Sequence, residues 1–481
     1  MHIGITWRAI IRKNHSKNKL KRAICDIWYE IDVINRSYER TNKNQGECMS
    51  QFSQLNNSLS LNPIDQVRPD APQLAKFGQY CIGVQTIELV NKDQLDVLSI
   101  NDANPSPRYD RPLTLEVWYP SKTLDASTSK QQSRGEYKGV FLRDGETQVT
   151  LTGRAQRNAP PIKTDSAFPL IIISHGYPGN RFLMSHLGEN LASKGYVAVS
   201  IEHTESTYQN KAAFGSTLVN RPLDQMFVLN EITRLSKLPQ HFLEGLVDTD
   251  NTGLIGYSMG GYGALISAGA GVTQKSIEYD WGAPNESLKM HKAGSEAHAD
   301  LIDSRLKAVI AFAPWGRNHD FWDAKGLAGI KVPIMYIAGS DDDVSGYETG
   351  VKALFEESVN TDRYLLTYQY ANHNAGAAIP APYESWKKSE SLGYAPFEHY
   401  ADPVWDSVRM NNIAQHFCSA FMDLKLKNKQ QQASYLTLVS DSGEGVFSVD
   451  DNNQPTQAHT YWKGFPQGSA KGLSFAFKPK E

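Results

Sequence analysis

Long apolar segments, clustered cysteines and a strong net charge are all missing from this 481-residue chain. No segment reaches the roughly 18 uninterrupted apolar residues that a membrane-spanning helix requires. The N-terminal residues MHIGITWRAI continue directly into the basic stretch IRKNHSKNKLKR, so the apolar region of a secretory signal is missing as well. The sequence therefore predicts a cytoplasmic protein without a transmembrane segment.

Cysteine is scarce, with four residues at Cys25, Cys48, Cys81 and Cys418. Their wide spacing matches neither a structural zinc site nor the dense disulfide framework of small secreted proteins, which indicates free thiols. A formal net charge of -3 provides no long-range field that would attract nucleic acid. Nucleic acid is therefore not expected as a partner, and no oligomeric state follows from composition.

The distribution of polar and apolar residues divides the chain into three parts. Residues 1–71 are basic and then polar, which is typical of an appended leader and linker. Residues 72–430 contain apolar strand-like runs that alternate with segments of helical length, as in an α/β fold with a mostly parallel sheet covered by helices on both faces. Residues 431–481 hold the runs LTLVS, GVFSV and GLSFAF, which predict a small C-terminal β extension packed on the domain formed by residues 72–430.

Apolar composition places the strands and helices of the middle part. The predicted strands are 80–90, 113–119, 169–174, 196–201, 253–256, 308–313, 333–338 and 364–370, and the predicted main helices are 184–194, 224–235, 346–357 and 406–424. Pro120 is expected to end the second strand. Segments 273–304 and 373–402 are too long for simple connections, so we expect lid-like insertions that shape a pocket.

One serine, Ser258, lies among four glycines in the stretch GYSMGGYG. The pattern Gly-x-Ser-x-Gly, between a strand and a helix of small residues, predicts the sharp turn that presents a nucleophilic serine. A serine hydroxyl is a weak nucleophile until a histidine accepts its proton and a carboxylate fixes that histidine. In this type of turn the chain order is serine, acid, histidine.

The acid is expected in GSDDDVSG, which follows a predicted strand. Asp342 is favoured because the turn after Gly339 needs a few residues to bring a side chain back to the sheet, with Val344 turned inward. Asp341 and Asp343 remain alternatives. Adjacent acids in an extended loop point in different directions and no His or Glu cluster accompanies them, so a metal site is not expected.

The base is expected at His373 in ANHNAG, after the last core strand. Both partners then emerge at the carboxyl ends of parallel strands, which is the edge of the sheet where such folds bind ligands. His203 and His175 follow earlier strands and are interpreted mainly as loop-stabilising residues, and His319 is the remaining alternative.

Acyl transfer also needs N–H donors that face the developing oxyanion. Met259, directly after the serine, supplies the first. The second is expected from SHGYPGN at Tyr177, because Pro178 has no N–H and Gly176 and Gly179 allow close backbone approach.

Several segments in a fixed order resemble α/β-hydrolases, and more narrowly the group of predicted dienelactone hydrolases and plasma-type platelet-activating factor acetylhydrolases. They are RPLTLEVWYP, FPLIIISHGYPGNRF, GLIGYSMGGYGAL, AFAPWG, MYIAGSDDDVSG, YANHN and FEHYADPVWDSV, and the resemblance extends over about 79–424. The resemblance implies a Ser258, Asp342, His373 triad, no cofactor, and a place for Trp315 in the acyl pocket; the alternative for Trp315 is a core position.

Two departures limit what the resemblance implies. Dienelactone hydrolases use a cysteine nucleophile where this chain has Ser258, so their reaction is not implied. The acetylhydrolases have His before the nucleophile where this chain has Tyr257, so a phospholipid substrate and a weak contact with a lipid surface stay open.

The sequence as a whole predicts a serine esterase that cleaves small-molecule carboxylic esters, with short acyl chains, through an acyl-enzyme intermediate. Alternatives are an amidase or peptidase of the same fold, a short-acyl phospholipid hydrolase and a non-catalytic binding module. An aspartate-nucleophile hydrolase is disfavoured because position 258 is serine.

Overall fold

The computed structural model describes residues 62–122, 135–212 and 214–481. The compact unit begins at Asn62. Residues 62–71, predicted as linker, belong to this unit: Ile64 is buried, and its backbone N–H donates to the Thr152 carbonyl at 2.8 Å. The rest of the predicted leader, with Cys25 and Cys48, lies outside the described residues.

The strands fall into one large sheet and one hairpin. They are β1 (Cys81–Leu95), β2 (Arg108–Ser121), β3 (Gly135–Phe141), β4 (Gln148–Gly153), β5 (Gln156–Arg157), β6 (Phe168–Ser174), β7 (Val197–Glu202), β8 (Val247–Tyr257), β9 (Leu306–Phe312), β10 (Ile334–Gly339), β11 (Arg363–Tyr368) and β12 (Leu473–Lys478). β3 and β4 form the hairpin, and the large sheet has the order β12-β11-β10-β9-β8-β6-β7-β2-β1-β5.

The helices follow or separate these strands. They are α1 (Ser185–Ser193), α2 (Phe214–Leu235), α3 (Met259–Ser267), α4 (Gln274–Ile277), α5 (Glu296–Leu301), α6 (Ala324–Leu327), α7 (Lys352–Glu357) and α8 (Ser407–Leu426). The Asp406 carboxylate begins α8 by accepting a hydrogen bond from the Arg409 N–H at 2.8 Å. None of the helices in the described residues has both the length and the apolar composition of a membrane span.

The centre of the large sheet is parallel from β7 through β6, β8, β9 and β10 to β11. β1, β2 and β12 are the antiparallel additions. Because the parallel strands all end at the same edge, the loops after β6, β8, β10 and β11 meet there. This edge carries the candidate site.

Two apolar cores lie on opposite faces of the sheet. Ile171 and Ile173 of β6 pack into the core that includes α1 and α8, whereas Leu170 and Ile172 pack into the core that includes α2, α3 and α7. Successive strand residues point to opposite faces, so this alternation confirms the predicted sheet with helices on both sides.

Helix α2 begins ten residues before the predicted start at Asp224, and it continues through Pro222. A proline inside a helix removes the N–H that would bond the carbonyl four residues earlier. Here that carbonyl, on Leu218, accepts a hydrogen bond from the Tyr262 hydroxyl at 3.2 Å, and the next one, on Val219, is bonded by His291 at 2.8 Å. Tertiary contacts thus replace the lost helical bond.

Two other expectations about strands are wrong. β2 continues through Pro120, where no N–H is needed because the pairing with β7 ends at Trp118. Of the three C-terminal runs only GLSFAF becomes a strand, β12; LTLVS and GVFSV are irregular. Leu438 and Val439 of the first run pack on the core without joining a ladder.

Buried histidines in the described residues make the stability of the fold sensitive to acid. Burial lowers the pKa of His186, His203 and His416 to about 3, that of His291 to about 4, and that of His175 well below its usual range. Because these pKa values lie below that of an unfolded histidine, the unfolded state binds more protons once the pH falls below about 6.5.

We therefore expect the free energy of unfolding to fall from pH 7 to pH 5. Each histidine with a pKa of about 3 should remove about 2 kcal/mol over this range. Urea unfolding at half-unit pH intervals measures the slope and hence the proton uptake. Between pH 6.5 and pH 5 the titration of histidines is separated from that of most carboxylates. A free energy of unfolding that stays constant over this pH range would contradict the prediction.

Candidate active site

Ser258 occupies the tight turn between β8 and α3. Its backbone has φ 53° and ψ -113°, a conformation that side chains rarely adopt. A Cβ added at Gly260 would lie 1.9 Å from the Ser174 carbonyl oxygen, and one added at Gly256 would lie 2.2 Å from the Gly260 carbonyl oxygen. The glycines of GYSMGGYG are therefore needed for close backbone approach around the serine.

His373 and Asp342 complete a row with this serine. The Ser258 hydroxyl lies 3.0 Å from His373 Nε2, and the Nδ1–H of the same ring lies 3.0 Å from both carboxylate oxygens of Asp342. His373 is in the loop after β11, and Asp342 is in the loop after β10. The structure thus brings together the three residues that the sequence selected.

The burial of the aspartates distinguishes Asp342 from its neighbours. Asp342 is buried, and its Oδ1 accepts hydrogen bonds from the N–H groups of Val344 and Ser345 at 3.0 and 2.9 Å. Asp341 and Asp343 are exposed. The expected inward position of Val344 is wrong, since it is 45% exposed and contributes its backbone instead.

Tyr257 and Asn374 support the histidine loop, and the sequence analysis gave neither a role. The Tyr257 ring lies 5.2 Å from the His373 ring, and its hydroxyl donates to Asn374 Oδ1 at 3.0 Å. Burial raises the pKa of Tyr257, so the phenol keeps the proton that it donates. Asn374 in turn donates to the carbonyls of Glu398 and Ala401 at 3.0 and 2.8 Å. The long segment after His373 is thereby tied to the base.

The loop that follows β6 lies beside the serine. A Cβ added at Gly176 would be 3.3 Å from the Ser258 Cβ, so the next residue, Tyr177, is adjacent to the nucleophile. Met259 is the first residue of α3, where the backbone N–H has no partner within the helix. The two N–H groups expected to bind an oxyanion are therefore on segments that flank Ser258.

Trp315 contacts the same turn through its backbone. Its N–H donates to the Ser258 carbonyl at 3.2 Å, and its ring stacks on His319 with centroids 4.8 Å apart. His319, an alternative base in the sequence analysis, is thus placed against an indole and not beside the serine hydroxyl.

An aromatic wall continues from this tryptophan, and we define it as Tyr177, Phe214, Trp281 and Trp315. Phe214 lies 5.2 Å from the Tyr177 ring and 5.1 Å from the Trp315 ring. Trp281 extends the wall from the predicted insertion 273–304 and is 50% exposed. Phe214 and Trp281 have no signal in the local sequence, because ring contacts between distant segments leave no local pattern.

His203 and His175 lie in the interior, below the loop that follows β6. His203 is hydrogen-bonded to Asp224 at 2.9 Å and to the Ser174 hydroxyl at 2.8 Å. His175 bonds its neighbour's carbonyl, on Gly176, at 2.7 Å. The structure does not bring either ring to Ser258.

Known proteins that are similar to this chain include esterases and hydrolases. A family model described as PET hydrolase-like matches residues 150–279. "Putative esterase YitV" of Bacillus subtilis (strain 168) is 32% identical over 144 residues, or 30% of this chain and 51% of the relative. The aligned part therefore spans about half the length of that protein.

Two longer matches cover more of the chain. "Bis(hydroxyethyl) terephthalate hydrolase" of Streptomyces coelicolor is 27% identical over 282 residues, which is 58% of this chain and 74% of the relative. The solved structure of a ferulic acid esterase from Streptomyces cinnamoneus aligns with 86% of this chain and 99% of its own, at 17% identity and a TM-score of 0.52. This second likeness shows a common fold.

Proposed function

We propose that this chain, a member of the α/β-hydrolase superfamily, is a serine hydrolase that cleaves carboxylic esters. The observation that carries the proposal is the continuous row from the Ser258 hydroxyl through His373 to the buried Asp342, with 3.0 Å at each step. A hydroxyl, an imidazole and a carboxylate in this order are the parts that acyl transfer to serine requires.

The geometry supports the following first step. His373 Nε2 accepts the proton of Ser258 as Oγ attacks the ester carbonyl, while Asp342 holds the Nδ1–H and stabilises the imidazolium. The carbonyl electrons move to oxygen, and the N–H groups of Met259 and Tyr177 bind that oxyanion. His373 then gives its proton to the departing alcohol, which leaves an acyl-enzyme.

The second step repeats the first with water as the nucleophile. His373 removes a proton from water as it attacks the acyl carbon, and the same N–H groups bind the second oxyanion. The proton returns to Ser258 when the acid leaves. His373 is thus the proton acceptor and the proton donor in both steps.

The aromatic wall favours a second candidate within the same activity, namely esters of aromatic acids. Its rings begin at Tyr177 and at Trp315, next to the nucleophile, and offer flat surfaces for a planar acyl group. The relative named as a bis(hydroxyethyl) terephthalate hydrolase supports this candidate. The first candidate, short aliphatic acyl groups, is the prediction from sequence.

A p-nitrophenyl ester series tests the proposal. We expect turnover to be highest for acetate and butyrate and to fall towards palmitate, as the sequence predicts for a short-acyl esterase. An aromatic acyl site would add high turnover of the benzoate. A fluorophosphonate probe, which labels an activated serine, should react stoichiometrically with the same preparation.

Two outcomes would contradict the proposed ester hydrolysis, and a third would contradict only the acyl length. A protein that hydrolyses none of the esters and does not react with the probe would be a binding module. A protein that reacts with the probe and cleaves p-nitroanilides faster than the matching esters would be an amidase. A preference for palmitate would instead remove the short-acyl assignment.

A further inference from the structure

A second row of serine, histidine and aspartate lies beneath the loop that follows β6. The Ser174 hydroxyl is 2.8 Å from His203 Nε2, and His203 Nδ1 is 2.9 Å from Asp224 Oδ2. The three residues are at most 1% exposed. No substrate can reach them in this arrangement, so the row has another role.

The charges in this row are already balanced. Arg111 donates to both oxygens of Asp224, at 2.8 and 3.0 Å. Burial alone would raise the pKa of Asp224, but Arg111 and the His203 hydrogen bond lower it to about 2. Burial and the charge of Arg221 lower the pKa of His203 to about 3, so its ring is neutral. A neutral histidine with fixed partners acts as a rigid support.

This support continues into the loop beside the nucleophile. The backbone N–H of His203 donates to His175 Nε2 at 3.2 Å, which places the proton of the His175 ring on Nδ1. That Nδ1–H donates to the Gly176 carbonyl at 2.7 Å. The contact with His203 thus fixes both the tautomer and the orientation of the His175 ring.

Arg221 of α2 holds the same two peptide groups. Its guanidinium donates to the His175 carbonyl, to the Gly176 carbonyl at 3.4 Å and to the Ser206 hydroxyl. Arg221 is 1% exposed, and burial lowers its pKa to about 9, so it remains charged at neutral pH. A planar guanidinium can bond several carbonyls at once, which an ammonium group cannot do with the same geometry.

The direction of one carbonyl decides the direction of the next N–H. The Gly176–Tyr177 peptide is trans, so its C=O and N–H point in opposite directions. Arg221 and His175 hold the Gly176 oxygen towards the interior. The Tyr177 N–H is therefore turned away from the interior.

We propose that Arg221 is a positioning residue, which fixes the Gly176 carbonyl inward and so aims the Tyr177 N–H at the oxyanion formed on Ser258. The inference rests on the proposed ester hydrolysis, because it assigns Arg221 a part in transition-state binding and not in substrate binding. Its signature is a loss of kcat with little change in KM.

Arg221→Lys tests the proposal, since it keeps a positive charge and loses the planar fork. Per serine labelled by a fluorophosphonate, we expect kcat for p-nitrophenyl acetate to fall about 10- to 100-fold while KM stays within about threefold. Inhibition by a trifluoromethyl ketone should weaken by a similar factor. Its adduct with Ser258 places an oxyanion on the same donors.

Arg363→Lys is the matched control. Arg363 is also buried and bonds backbone carbonyls, on Phe355 and Pro479, but it begins β11 at the other edge of the sheet. We expect this variant to lower the melting temperature and to keep kcat per labelled serine. The proposal would be overturned if Arg221→Lys also kept kcat per labelled serine within about twofold of wild type. It would also be overturned if both variants lost kcat per labelled serine equally.

A second pair of variants covers the case in which Arg221→Lys does not fold. His175→Asn retains a donor near the position of Nδ1, whereas His175→Ala removes it. We expect kcat per labelled serine to be higher in the asparagine variant, and equal values would contradict the positioning role. Failure of the proposed function is distinguishable, because wild type itself would then show no ester turnover.

Discussion

Ser258→Ala is expected to lower kcat/KM for p-nitrophenyl acetate by about 10⁴-fold or more and to abolish labelling by a fluorophosphonate. The hydroxyl is the only part of the row that forms a bond to the acyl carbon, so its removal leaves only oxyanion binding and substrate proximity. The structure should persist, because the fold at this position is held by backbone bonds, from the Ser258 N–H to the Phe312 carbonyl and from the Trp315 N–H to the Ser258 carbonyl.

Ser185→Ala provides a matched control. Within the described residues, the Ser185 hydroxyl is buried and has no hydrogen-bond partner, so its loss leaves no group unpaired. This variant should retain wild-type turnover and labelling. Residual labelling in Ser258→Ala at the wild-type level would show that another serine is the nucleophile.

Asp342→Asn is expected to lower kcat by about 10³- to 10⁴-fold with a folded protein. Asn presents an NH₂ group where Asp342 accepts from His373 Nδ1, and its single oxygen is also required by the N–H groups of Val344 and Ser345. The histidine would then carry its proton on Nε2 and could not accept that of Ser258. Steady-state kinetics with circular dichroism measures both consequences.

The neighbouring aspartates are natural controls for this change. Asp341→Asn and Asp343→Asn alter exposed carboxylates without a bond to His373, so turnover should stay within about threefold of wild type. Equal losses at all three positions would reject Asp342 as the acid. His373→Ala with near-normal turnover would reject the whole row.

Local sequence patterns are sufficient to predict the parallel strands, which recur along the chain. The parallel strands are predictable because each is a short apolar run followed by a turn, and Ser258, Asp342 and His373 lie one, three and five residues after the ends of β8, β10 and β11. When the carboxyl ends of parallel strands meet, residues far apart in sequence become neighbours without any further information. The length of one turn favours Asp342 among the three aspartates, and its burial in the structure distinguishes it from the exposed Asp341 and Asp343.

The remainder depends on contacts that the local sequence does not contain. The start of α2 was missed because Pro222 normally ends a helix, and only Tyr262 and His291 make it tolerable. The apolar run LTLVS has the composition of a strand, yet it packs without a ladder partner. Phe214 and Trp281 join the aromatic wall through ring contacts between separate segments.

β12 has a consequence for the behaviour of the protein in concentrated solution. It pairs with β11 along the whole run from Arg363 to Tyr368. A chain cut before Leu473 would present that run as an open row of N–H and C=O groups, flanked by apolar side chains. Such a row is a template for a strand from a second molecule, so we expect the C-terminal strand to limit self-association through β11.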